Sequence, residues 1–129
     1  MTTCGLWLAR RRLVAVLVSA DHARRTIRAA MTDDARYGLL EYLAVVDPEI
    51  VTTEAVARVD VLPAQAARRG LTVWTVDDGF VAALLSAAAI RDPARAAVVL
   101  ARLPRIPLLR ASLWRLTPPC APARQLPLL

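Results

Sequence analysis

Apolar and polar positions change period several times along this chain, and the changes divide it into elements. Residues 4–9 form a short apolar run, Arg10, Arg11 and Arg12 a charged connection, and residues 13–18 a nearly continuous run rich in valine and leucine. A run apolar on both faces predicts a central strand covered on each side. Residues 20–23 supply turn chemistry, after which residues 26–31 alternate, with Ile27, Ala29 and Met31 on one face. These segments predict an antiparallel meander with strands near residues 4–8, 13–19 and 25–31.

The period then becomes helical. Leu39, Leu40, Leu43 and Val46 fall on one helix face, capped by Thr32 or Asp33 and ended at Asp47-Pro48. Residues 50–53 predict a fourth strand, and residues 55–69 a helix irregular at Pro63 and stopped by Gly70. Residues 71–76 predict a fifth strand. Asp77 or Asp78 caps an alanine-rich helix through Ile90. Asp92-Pro93 opens another, with Ala96, Val99, Leu100 and Leu103 on one face. Leu109, Leu113 and Leu116 predict a last short helix over residues 108–116.

The order βββαβαβ, followed by helices, predicts an α/β fold: a mixed five-stranded sheet, three strands antiparallel and two parallel, with helices on its faces. One domain is expected over residues 1–116. Residues 117–129, which hold four of the nine prolines, read as a proline-rich tail. A chain of 129 residues buries roughly two-thirds of its unfolded surface as one domain.

Composition narrows the function classes. Aromatic residues make up 5% of the chain, which argues against a broad base-stacking platform. The net charge is +6, and all 17 basic residues are arginine. Arginine grips phosphate bidentately, so a nucleic-acid partner is admissible, with Arg10, Arg11 and Arg12 as the candidate contact. A charged hairpin tip in water is the alternative for that triplet, and GC-rich codon bias produces the same arginine excess without a partner.

Cys4 and Cys120 are far apart and lack CxxC spacing, so neither a disulfide framework nor a zinc site is predicted. His22 is the only histidine and has no partner motif; Ser19 and Ser112 lack a nucleophile elbow. The arginine triplet before residues 13–20 loosely mimics an export signal, but the apolar run is short and is preceded by another. No run reaches the roughly 18 apolar residues of a membrane span. A cytoplasmic location without membrane contact is expected.

The element order resembles that of the RNase H-like superfamily. In detail it is similar to the N-terminal, resolvase-like domain of DEDD-type insertion-sequence transposases and recombinases. Gly5-Leu6-Trp7 followed by Val14-Ala15-Val16-Leu17 resembles the family's opening strands, Glu54-Ala55 its Glu-Ala after the fourth strand, and residues 92–103 its late acid-bearing helix. The resemblance covers about residues 4–103. It implies two-metal phosphodiester cleavage, in which converging carboxylates hold a pair of Mg²⁺ ions.

Only part of that acid set is present. Glu54 matches the second position and Asp92 the late helix, and these two are the candidate catalytic and metal-binding residues. Trp7 stands where the first-strand acid belongs, no acid precedes Asp21, and the partner expected one turn beyond Asp92 falls at Arg95 or Ala96. Each acid also has a simpler role. Glu54 suits the first turn of a helix, and Asp92 before Pro93 suits an N-cap. The pair Asp77-Asp78 suits a cap more readily than a cation site at the sheet edge.

Three functions follow as expectations. The first is a nucleic-acid-associated, transposase-like domain of DNA recombination ancestry, catalytically impaired (a pseudo-enzyme) and needing no cofactor. The second is a non-enzymatic protein-interaction scaffold that docks a partner or a second copy through the C-terminal helix, with Trp114 beside Arg110 and Arg115 marking the contact. The third is a Mg²⁺-dependent nuclease with a rearranged acid set of Glu54, Asp77 or Asp78, and Asp92. A single basic face favours the first; scattered arginines favour the second.

Overall fold

A computed structural model describes residues 1–117. Cys120 and all but the first residue of the expected tail lie outside the described residues. Strands β1 (Thr3–Ala9), β2 (Arg12–Val18) and β3 (Arg24–Ala30) form the expected antiparallel meander. Helix α1 (Asp33–Val46) then leads to β4 (Glu49–Thr53), which pairs parallel to β1; α2 (Glu54–Val59) and α3 (Leu62–Arg68) lead to β5 (Val73–Val76), parallel to β4. Helices α4 (Asp78–Ala87) and α5 (Pro93–Arg102) follow, then a 3₁₀ turn (Leu103–Arg105), α6 (Pro107–Arg110) and β6 (Trp114–Arg115). The sheet is mixed and open, in the order β3-β2-β1-β4-β5-β6.

The alternating side chains of β1 and β2 feed two cores. Cys4 and Leu6, with Leu13, Ala15 and Leu17, pack with Leu39, Leu40 and Leu43 of α1 and with Leu62 and Ala66 of α3. On the other face Val14, Val16 and Val18 meet Ala97 and Ala101 of α5. The helix approaches so closely there that a methyl group on Gly5 would stand 1.7 Å from the Ala97 carbonyl oxygen and 2.9 Å from the Ala101 amide nitrogen. At the far end, Arg105 donates to Thr3 Oγ1 (3.2 Å), the Met1 carbonyl (2.9 Å) and the Val18 carbonyl (2.6 Å). Helix α5 therefore runs antiparallel to β1, with Asp92 toward the edge where β1 ends.

Three expectations are corrected. Residues 55–69 form two helices, because Asp60 stops α2 and reorganises the chain. Its wholly buried carboxylate accepts from Leu62 N (2.9 Å) and from Arg36 Nε and Nη2 (2.9–3.2 Å), and Pro63 sits at the start of α3, where its missing N–H costs nothing. The alanine-rich helix stops at Ala87, short of Ile90.

The third correction adds a sixth strand to the expected five. Only Pro107–Arg110 of the expected last helix is helical; Trp114 and Arg115 pair antiparallel with Thr75 and Trp74, and Leu116 N–H reaches the Val73 carbonyl (2.8 Å). The otherwise unpaired edge of β5 offers backbone partners that outweigh the helical spacing of Leu109, Leu113 and Leu116.

Two outcomes test this packing. Gly5→Ala lowers unfolding stability by about 3 kcal/mol in urea titration, since the helix must retreat from the sheet. Gly38→Ala, in α1 with open space around the added methyl, raises stability by about 0.5–1 kcal/mol. Burial pushes the Cys4 thiol from 9.0 up to about 12. The folded state therefore keeps a proton that the unfolded chain releases, and this contribution is complete below pH 9.0 and lost as pH rises toward about 12. Iodoacetamide at mildly alkaline pH should leave Cys4 unlabelled in the native protein and label it in concentrated guanidinium, as read by peptide mass mapping.

Candidate nucleic-acid interface

The carboxyl edge of β1 and β4 is where the acids of a metal site were expected. Trp7, near the end of β1, is partly buried and packs against both Val14 of β2 and the apolar cluster under α4, so an indole fills the centre of that edge. Glu54 opens α2 directly after β4 and lines a small cleft with Arg58, Thr75 and Trp114. Asp92 is exposed, and its carboxylate accepts from the Arg95 N–H (3.3 Å) as the N-cap of α5.

The two carboxylates thus sit in separate surroundings. The neighbouring acids are also engaged: Asp77 caps α4 by accepting from Phe80 N (3.0 Å), and Asp78 accepts from Ala55 N (3.1 and 3.3 Å). Among the described residues, no three His, Cys, Asp or Glu side chains converge to hold a metal. Glu54, Asp77, Asp78 and Asp92 do not fit a Mg²⁺ pair, and no cleavage step is derived from them.

The arginines divide into two populations. Those with a carboxylate partner are Arg36 with Asp60, Arg69 with Glu41, Arg110 with Glu49, and, at 3.9 Å, Arg58 with Asp78. Arg110 also lies over the Trp74 ring, 5.3 Å from its centre, while Trp74 donates to Glu49 (2.9 Å). The partner at Asp60 raises the Arg36 guanidinium above its ordinary range, chiefly through their hydrogen bonds.

Twelve of the sixteen described arginines have no such partner: Arg25 and Arg105 make other hydrogen bonds, Arg68 and Arg115 are exposed elsewhere, and the remaining eight lie on the α5 side of the meander and along α5. Residues directly opposite in an antiparallel pair share a face, and Val14 and Val18, which touch α5, lie opposite Arg28 and Arg24. Those two arginines, with Thr26 and Ala30 between and beside them, are exposed because α5 covers β1 and β2. Arg12 lies opposite Ala30 on the same face, continuous with Arg10 and Arg11 at the β1–β2 tip. On α5, Ala94 and Val98 pack toward β2, and the exposed stripe beside them carries Arg95 and Arg102, seven residues apart, with Arg91 just before the helix.

None of these eight (Arg10, Arg11, Arg12, Arg24, Arg28, Arg91, Arg95 and Arg102) makes an ion pair among the described residues. The sequence identified only the first three. Arg24 and Arg28 show the two-residue period of a strand, and Arg95 and Arg102 the seven-residue spacing of a helix stripe. That the two rows flank one surface depends on where α5 docks. His22 is exposed in the β2–β3 turn, and Trp114 is exposed on β6, not on a helix.

Comparison with protein-family models and with curated proteins returns no match to this chain.

The acid geometry generates one outcome. With Mg²⁺ or Mn²⁺, the purified protein leaves duplex, junction and hybrid substrates intact, and Trp7→Asp alone does not create activity. Gel analysis of end-labelled substrates checks this, and metal-dependent turnover that disappears in Glu54→Gln would overturn it.

Proposed function

We propose that this protein is a nucleic-acid-associated domain of RNase H-like, transposase or resolvase type in which phosphodiester cleavage is impaired. The observation that carries the proposal is the grouping of eight arginines, none in an ion pair among the described residues, on the face shared by β2, β3 and the outer stripe of α5 and at the adjoining β1–β2 tip. Cations already held by carboxylates have little to gain from phosphate. Those on this face are free to take it, and they stand on a rigid sheet and helix. The meander-then-crossover order supports the superfamily reading. The indole at Trp7 and the engagement of Asp77, Asp78 and Asp92 by backbone N–H groups support the loss of metal chemistry.

A second reading, a protein-interaction scaffold, draws on Trp114. It is 44% exposed on an edge strand beside Arg115, a combination common at protein contacts. The C-terminal helix once expected to do this docking is only Pro107–Arg110.

Fluorescence anisotropy across a salt series separates the two. For phosphate binding, log K falls linearly with log salt at about −0.9 per phosphate neutralised on a duplex. Replacing Arg10, Arg11 and Arg12 together by alanine should flatten the slope by about 2–3 and weaken all sequences alike. Arg24→Ala with Arg28→Ala should do the same to a smaller extent. Arg68→Ala, at the groove between α1 and α3, should change neither. Affinity indifferent to ionic strength, or no binding at low salt, would overturn the proposal.

A further inference from the structure

The chain leaves β1 toward β2 on one side and leaves β4 toward β5 on the other, so the carboxyl ends of these adjacent parallel strands diverge. Such a switch point in an open α/β sheet opens a crevice where ligands bind. Here the β1–β4 ladder runs from Thr3 and Glu49 to Gly5 and Val51, and Thr52 Oγ1 then donates to the Leu6 carbonyl (2.9 Å). Beyond that bond lies a cavity of about 250 Å³ walled by Trp7, Leu8, Val56 and Val59, with Thr53 and Asp78 at its polar end. Val59 is 66% exposed, an apolar side chain left in the open by the early end of α2.

The crevice thus combines an aromatic wall, an aliphatic wall and one fixed acceptor. The Asp78 carboxylate is held by Ala55 N at 3.1 and 3.3 Å, which leaves lone pairs for a further donor, and Arg58 stands 3.9 Å away. Arg10 follows Leu8 by two residues, so the arginine tip emerges at the same edge. A phosphate chain held on Arg10, Arg11 and Arg12 would run along the edge that holds this cavity.

We infer that the crevice is a base pocket. It takes one unpaired nucleobase with an exocyclic amino group, cytosine among the pyrimidines, stacked on Trp7 and donating its N4 amine to Asp78. The inference rests on the nucleic-acid reading above and adds a substrate class to it: strands carrying an extruded or unpaired base. Thymine presents a carbonyl oxygen where cytosine presents the amine, and that oxygen would face the carboxylate unfavourably.

Anisotropy with three otherwise identical duplexes tests it: fully paired, with one bulged cytosine, and with one bulged thymine. The wild-type chain should bind the cytosine bulge about tenfold tighter than the thymine bulge, the discrimination a base-edge hydrogen bond supports. Asp78→Asn keeps the shape and an acceptor for Ala55 N while presenting an amide donor, and should turn the preference toward thymine. Val59→Trp, a change at an exposed position, should fill the crevice and abolish the difference while leaving the paired duplex bound as before. Equal affinity for both bulges, or a preference that both variants leave intact, overturns the pocket and leaves the arginine face standing. Absence of binding to all three at low salt overturns both.

Discussion

The contact between Gly5 and the backbone of α5 is the constraint on which the rest of the molecule depends. An added Cβ would fall 1.7 Å from the Ala97 carbonyl oxygen, so no other residue lets the helix lie this close to the central strand. Ala97 and Ala101 make the helix side of the seam equally thin, and together they give α5 a fixed height and direction over β1 and β2. That placement leaves β3 uncovered on the same face, which is why Arg24 and Arg28 reach solvent beside Arg95 and Arg102. It also directs the N-terminus of α5 to the carboxyl edge, where Asp92 spends its carboxylate on its own helix. A one-methyl change at Gly5 thus acts on stability and on the geometry of the cationic surface together.

A second constraint sits on the opposite face. Asp60 is fully buried, and removing Arg36 would leave its charge uncompensated, a loss of about 3–5 kcal/mol for pairs of this kind. The pair ties α1 to the junction of α2 and α3 and forces the helix to break there. The break shapes the carboxyl edge from a distance. It ends α2 after six residues and leaves Val59 exposed beside Trp7 and Asp78.

The sequence carries the strands and their directions because the apolar run of β2, the alternation of β3 and the β-branched β4 are local signals of burial. It carries the helix starts as well, since Thr32, Asp77 and Asp92 cap by local chemistry. Two of the three misreadings concern contacts distant in sequence. The break at Asp60 depends on Arg36, 24 residues earlier, and β6 depends on β5, 39 residues earlier at the Thr75–Trp114 contact. The site divides in the same way. Trp7 and the absence of an acid before Asp21 were legible as single residues. The arginine face and the Trp7–Asp78 crevice were not, because each joins elements that only the tertiary fold brings together.

Codon bias explains how many arginines a chain has, but not where their partners are. In this fold Arg36, Arg69 and Arg110 each have a carboxylate near α1, α3 or β5, while eight of the twelve arginines without one among the described residues gather on the α5 side of the meander and on the outer stripe of α5. Like charges so arranged repel by about 0.5 kcal/mol per neighbouring pair at ~8 Å in water, less in salt. Of the 11 acidic residues, Asp92 stands among them between Arg91 and Arg95, and its carboxylate is engaged as the N-cap of α5. The grouping of these arginines on one face, rather than the net charge, is therefore what the proposal of a polyanionic partner rests on.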